Sequence, residues 1–198
     1  ICLANVGSPK EPLTDPVSLY LKEFLMDPYI IDIPFIFRWI LVYLMIVPKR
    51  AQKSAEAYQK VWMNEGSPLL VFSKRLSHKL QSELAENYLV SFAMRYQEPS
   101  IKSALETLIQ NGAKRLIIIP LYPQFASATV TTTIKECERF LQKYHPEIPR
   151  KYFPEFYHYQ SFIQSMAKMA KDYHTHTFDH VLMSFHGLPK RQIRKGDT

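Results

Sequence analysis

Glycine is scarce in this chain, five among 198 residues. Both glycine-rich phosphate cradles, G-x-G-x-x-G and the Gly-Lys-Ser/Thr P-loop, are missing, which argues against a nucleotide site. Cysteine is scarcer still. Cys2 and Cys137 form no CxxC pair, and with no HExxH or clustered Cys/His there is no zinc pattern and no dithiol pair. Each cysteine falls on an apolar element and is expected to be a small buried hydrophobe. No signal sequence is visible in the stretch given, and a reducing, cytoplasmic location is the expectation. Net charge is +7, but the basic residues scatter and no helix-turn-helix, zinc-finger or RNA-binding signature appears, so nucleic acid is not an expected partner. His174 and His176 straddle Thr175; positions i and i+2 do not share a helix face, so both are expected to be surface histidines. The chain opens on the strand-like Ile1 to Asn5 without an initiator Met, and a trimmed fragment of a longer protein is expected.

What is present is an alternation of strands and helices. Ile1 to Asn5 reads as a strand, and Thr14-Asp15-Pro16 starts a helix that runs to about Met26. Phe35 to Val47 is apolar on every side except Arg38. Its helix would be about 20 Å long, too short to span a bilayer. Flanked by Pro34, Pro48 and Lys49-Arg50, it suits either a membrane surface or burial in the protein's own core. Lys49 to Met63 is a more polar helix, and Ser67-Pro68 starts another, with Leu69, Phe72, Leu76, Leu80 and Leu84 at helical spacing. Tyr88 to Met94 is a strand; Ile101, Leu105, Leu108 and Ile109 mark a helix closed by Asn111-Gly112. Leu116 to Ile119 is a strand of the buried parallel kind. Val130, Ile134, Cys137, Leu141 and Tyr144 mark the next helix, and Tyr152 to Phe156 a strand. Phe162, Met166, Met169 and Tyr173 line a further helix, and Val181 to Met183 is the last strand. Such alternation argues an α/β fold with a parallel sheet covered on both faces. The prolines at 146, 149 and 154 suggest a first domain over 1–146, with a hydrophobic lip around 30–50, and the start of a second over 147–198.

In open α/β sheets the chemistry collects just after strand carboxyl ends. Four loops qualify here: Asn5 to Ser8, Arg95-Tyr96, Tyr122 to Ser127, and His186. The last follows an apolar run, with Gly187 allowing a sharp exit and Pro189 stiffening it. A neutral imidazole is both a base near pH 7 and a metal ligand. One His, one Arg–Tyr pair and several Tyr and Thr around a rim suit a flat aromatic anion better than a phosphate.

Taken in order, Asn5-Val6-Gly7-Ser8-Pro9, Phe24-Leu25-Met26-Asp27-Pro28, Pro48-Lys49-Arg50, Glu56-Ala57-Tyr58, Gly66-Ser67-Pro68, Met94-Arg95-Tyr96, Pro120 to Phe125, Ser184 to Pro189 and Gly196-Asp197 resemble ferrochelatase over essentially the whole chain. The resemblance implies a chelatase-like fold of two similar Rossmann-like parallel-sheet domains, the second incomplete here. It implies insertion of Fe²⁺ into protoporphyrin IX to form protohaem. Porphyrin and Fe²⁺ are then the substrates, no resident cofactor is certain, and an iron–sulfur cluster, where members carry one, lies further along. His186 would be the metal ligand or the pyrrole-proton acceptor. Arg50, Tyr58 and Ser67 would hold the porphyrin and its propionates, Arg95 and Tyr96 would bind near the macrocycle on the other side of the pocket, Val6 would pack on the ring, and Tyr122 and Gln124 would shape the cleft. The Phe35–Val47 lip implies peripheral contact with a membrane surface, the inner membrane in a bacterial setting. The family often has Ser on both sides of Ser127, where Ala126 and Ala128 stand here, which puts hydroxyl contacts from that loop in doubt. The acidic partners of the histidine lie beyond residue 198, so the fragment alone is expected to be inactive. Coproporphyrin or cobalt chemistry, a non-catalytic porphyrin-binding protein and a membrane-surface scaffold are the rival readings. The presence of both His186 and Arg95-Tyr96 favours the enzyme.

Overall fold

The computed structural model describes residues 1–173 and 177–197; His174 and His176 lie outside the described residues. Four parallel strands, β1 (Cys2–Gly7), β2 (Ser91–Tyr96), β3 (Leu116–Pro120) and β4 (Arg150–Tyr152), form one sheet in the order β2-β1-β3-β4. The α/β expectation therefore holds. β1 is central, with Cys2 opposite Ser91 on one side and Ile118 on the other. Two helices, α5 (Ile101–Gln110) and α6 (Thr132–Tyr144), cover one face. Their buried residues Leu105, Leu108, Cys137, Phe140 and Leu141 pack on Cys2, Ala93, Leu116 and Ile118. Both cysteines are buried and unpaired, and desolvation pushes the Cys2 thiol up to about 12. They are core residues, as expected. Leu3 and Met94, on the alternate parity of their strands, are buried too, where α4 (Pro68–Glu83) crosses β1 and β2. Ile117 on β3 is 37% exposed, so the sheet is not fully covered.

Several helices depart from the expected pattern. In α1 (Thr14–Leu25) the N-cap is Leu13, with no side-chain cap, rather than a residue supplying an acceptor. In α4 part of the expected stripe turns outward: Phe72 is 57% and Leu76 44% exposed, while Leu69, Leu80 and Leu84 are half-buried and Val71, Ser73 and Ser77 are buried. Likewise Phe140 replaces the expected Tyr144 in the core.

The lip runs as one continuous helical path through α2 (Phe35–Ile40), a π-helical stretch Leu41–Ile46, and α3 (Val47–Val61). Pro48 does not end it. A proline within a helix lacks a donor and clashes with the carbonyl four residues back. The wider π geometry relieves this, with Val47 N–H reaching back to the Val42 carbonyl. Val42, Val47 and Ala51 pack on Leu21, Leu25 and Met26. The other side stands outside any core: Phe35 is 64%, Phe37 62% and Leu44 61% exposed. Burial of the whole segment is therefore excluded.

The later elements are also less regular than expected. β4 ends at Tyr152, where only Phe153 N–H extends the pairing, to the Ile118 carbonyl at 2.8 Å, before Pro154 removes the next useful donor. Because β4 pairs with β3, residues 150–152 belong to the first sheet. The amphipathic helix α7 (Gln160–Asp172) buries none of its residues. The expected strand at Val181 to Met183 is not formed; Val181 is 58%, Leu182 92% and Met183 75% exposed. A strand is a pairing, and no described residue offers these three an edge.

Glu138 ties α6 to β4. It accepts from Arg150 Nε at 2.9 Å and Nη2 at 2.6 Å, and from the Tyr152 hydroxyl at 2.6 Å. The Arg150 hydrogen bond, followed by that of Tyr152, holds its carboxyl down to about 2 against an ordinary 4.5. A depressed carboxyl stabilises the fold above its unfolded value and loses that contribution as pH falls toward the folded value. Glu138→Gln is therefore expected to lower stability by a constant amount above pH 4.5, with the gap to wild type closing toward pH 2. Urea denaturation across that range measures it; a gap independent of pH would contradict the assignment.

Candidate functional site

The carboxyl ends of β1, β2 and β3 share one edge of the sheet, and the chain reverses its direction of travel across the sheet between β1 and β3. Crevices at such a reversal bind ligands in open α/β sheets. Gly7 ends β1 with φ +112°, and a Cβ there would stand 2.0 Å from the Tyr96 carbonyl oxygen. Only glycine lets the β1 loop pass so close to β2. Val6 beside it is half-buried, its N–H held by the Asn5 side chain at 2.8 Å.

At the end of β2 the expected Arg–Tyr pair converges on a residue that sequence reasoning did not single out. Asp27, 4% exposed, accepts from Arg95 Nη2 at 2.6 Å and from the Tyr96 hydroxyl at 2.9 Å. Thr132 Oγ1 donates to the same carboxylate oxygen and accepts from Arg95 Nε at 2.8 Å. The other carboxylate oxygen takes the Tyr29 N–H at 2.8 Å. Asp27 is thus a buried hub joining α1, β2 and α6. Tyr96 is 1% exposed, and burial, then the adjacent carboxylate, push its hydroxyl well above the ordinary tyrosine range. It cannot ionise at working pH and serves as a fixed donor. The Arg95 side chain as a whole is 18% exposed. The signal in sequence was an Asp-Pro pair, which reads first as a helix stop. Its partners lie 68, 69 and 105 residues away.

The remaining candidates surround this edge or stand apart from it. Ser67 is buried at the N-cap of α4, and Tyr58 is half-buried with its ring edge-on to Tyr20 at 6.4 Å. Tyr122 follows β3, its hydroxyl pushed up by burial, and Gln124 beyond it is exposed. Arg50 projects from α3 and is exposed. His186 is exposed on an irregular segment and makes no hydrogen bond among the described residues. No three His, Cys, Asp or Glu side chains gather there as a metal centre among the described residues. A cavity of about 830 Å³ opens at the opposite edge, beside Ile1, Leu116 and Arg150, and holds none of the candidates.

Two further contacts escaped sequence reading. Arg38, the one charge within Phe35–Val47, is 7% exposed and donates through Nη1 to the Ile31 and Ile33 carbonyls at 2.9 and 3.1 Å. Ser127 donates from its N–H at 3.0 Å and its hydroxyl at 2.5 Å to Asp197. The hydroxyl placed in doubt by its alanine neighbours is therefore engaged. No described helix is long and apolar enough to cross a membrane.

The ferrochelatase family model matches residues 1–198. Among curated relatives, the ferrochelatase of Bdellovibrio bacteriovorus is 42% identical over 196 residues, covering 98% of this chain and 58% of that protein. The ferrochelatase of Ectopseudomonas mendocina is 42% identical over 197 residues, covering all of this chain and 57% of that protein. The chain thus spans somewhat over half the length of the relatives it matches. With the family's pattern matched end to end, on a parallel sheet whose loops carry the expected residues, the chain belongs to the ferrochelatase family.

Proposed function

We propose that the protein of which this chain is part inserts Fe²⁺ into protoporphyrin IX, forming protohaem. The observation that carries the reading is the strand-end constellation, with Arg95 held by a buried carboxylate and Gly7 and Val6 beside it, on a chain that matches the family throughout. Loss of two pyrrole protons as the metal enters calls for a base near neutrality, and His186 supplies an imidazole. The same nitrogen suits Fe²⁺ as a ligand. An exposed Arg50 and a partly open Arg95 fit propionate carboxylates. Val6, Tyr58, Ser67, Tyr96, Tyr122 and Gln124 shape or support the walls. A purely porphyrin-binding role explains the walls but gives His186 no task.

Anaerobic incubation of the complete gene product with protoporphyrin and Fe²⁺ is expected to replace the free-base spectrum with that of the metalloporphyrin. Bound but unmetallated porphyrin would reverse the reading to a carrier.

The lip is proposed to rest on a membrane surface, which supports peripheral placement of an otherwise cytoplasmic protein. Phe35, Phe37 and Leu44 present an apolar face with Lys49 and Arg50 beside it. Burying one such side chain contributes about 1.5–3 kcal/mol, so Phe37→Glu is expected to weaken vesicle binding at least about tenfold. Flotation with anionic vesicles measures this, with the emission of Trp39 shifting to the blue in wild type. Equal flotation of both proteins would contradict lipid contact.

A further inference from the structure

The segment that carries His186 is not tied down by a strand, yet it is not loose at its far end. Pro189 starts the short helix α8 (Lys190–Arg194). Gly196, at φ +104°, closes it: Gly196 N–H bonds to the Ile193 carbonyl at 3.0 Å and Asp197 N–H to the Gln192 carbonyl at 3.3 Å. This paired arrangement with a left-handed glycine is the Schellman stop, and it turns the chain sharply at a defined angle. Asp197 is thereby delivered into the first domain, where it is 3% exposed.

Its partner explains the docking. Ser127 begins a helical run that continues through α6 to Tyr144, and the N-cap residue is Ala126, which has no side-chain acceptor. Unpaired N–H groups and the positive end of the helix dipole therefore lack a local cap. Asp197 Oδ1 takes both the Ser127 N–H and its hydroxyl from 70 residues away. Its Oδ2 is buried and has no hydrogen-bond partner among the described residues. A second contact lies at the base of the lip. Asp32 accepts from Lys195 and pairs with Arg191 at 3.1 Å. The carbonyls flanking Asp32 are the two that Arg38 grips.

We propose that Asp197 is a positioning residue, a helix cap supplied from the far end of the histidine segment, which with Asp32 clasps that segment to the first domain and fixes where His186 stands. The docking part depends only on the contacts above; the positioning part rests on the proposed metal insertion. The clasp also joins the lip to the histidine segment, through Arg38 and the turn that carries Asp32.

The test uses the complete gene product and three variants: Asp197→Ala, Asp197→Asn and Asp32→Asn. Hydrogen exchange of Ser127 and of residues 184–197, read without substrate, is expected to rise at least about tenfold in Asp197→Ala, as for loss of a buried charge-assisted bond. The Asn variant, which keeps an acceptor, is expected to restore most of the protection, and Asp32→Asn to have the smaller effect of an exposed pair. Because a small misplacement of a reacting group costs up to about 10²-fold, kcat for metallation should fall at least about tenfold in Asp197→Ala with porphyrin KM little changed. Unchanged exchange would overturn the clasp whether or not the protein metallates porphyrin. Raised exchange with unchanged kcat would overturn the positioning role. A wild type that binds but never metallates would defeat the functional reading and the positioning role with it, leaving the exchange result to decide the docking alone.

Discussion

If the proposed metal insertion holds, His186→Ala is expected to abolish it while leaving porphyrin binding within about a factor of two, because the role proposed for the imidazole is on the protons or the metal and not on the walls. The side chain is exposed just ahead of Gly187 and Pro189, so within the described residues its removal opens no core cavity. That separates this variant from a folding defect. General acid–base assistance alone is worth about 10²–10⁴-fold, and loss of an iron ligand would add to it. Exogenous imidazole restoring part of the rate would identify proton transfer or ligation as the missing step. Undiminished metallation by the variant would remove His186 from the mechanism.

The second large effect lies in the fold beneath the site. Asp27→Ala is expected to cost roughly 3–5 kcal/mol, the usual penalty for breaking a buried charge pair from one side. The carboxylate side chain is 1% exposed and its Arg95 partner 18%. Without it the guanidinium, the Tyr96 hydroxyl and the Thr132 hydroxyl all lose an acceptor. Such a loss is a large share of the 5–15 kcal/mol that holds a typical domain together. Asp27→Asn, which keeps the shape and one acceptor oxygen, should lie between. Denaturant titration of the complete gene product measures all three proteins. A midpoint unchanged in Asp27→Ala would show that the hub is incidental, and the rigid placement of Arg95 would then need another cause.

Local patterns carried most of the fold. The spacing of Ile101, Leu105 and Leu108, the turn at Asn111-Gly112 and the apolar run at Leu116 each found their element, since each depends on neighbours in sequence. What failed depended on distant partners. The α4 stripe failed at Phe72 and Leu76, which face outward while Ser73 and Ser77 are buried, because the covered side of a helix depends on what lies beneath it. Val181 to Met183 has the composition of a strand, but the chain spans little more than half the length of its relatives and the described residues give it no edge. Arg95 and Tyr96 were legible because a strand-end motif carried them, and they meet at one carboxylate. Asp27 and Asp197 stood inside quoted motifs without a role and Asp32 stood in none, because an acidic residue in a turn gives no sign of its partner across the fold.

One measurement bears on the central claim before any variant is made. Porphyrin bound by the wild-type complete gene product would be mixed anaerobically with Fe²⁺ in a single turnover, with porphyrin fluorescence reporting binding and absorbance reporting the metallated ring. Metallation much faster than that of free porphyrin under the same conditions is the predicted result. Tight binding with no acceleration would contradict metal insertion and make the strand-end site a porphyrin carrier.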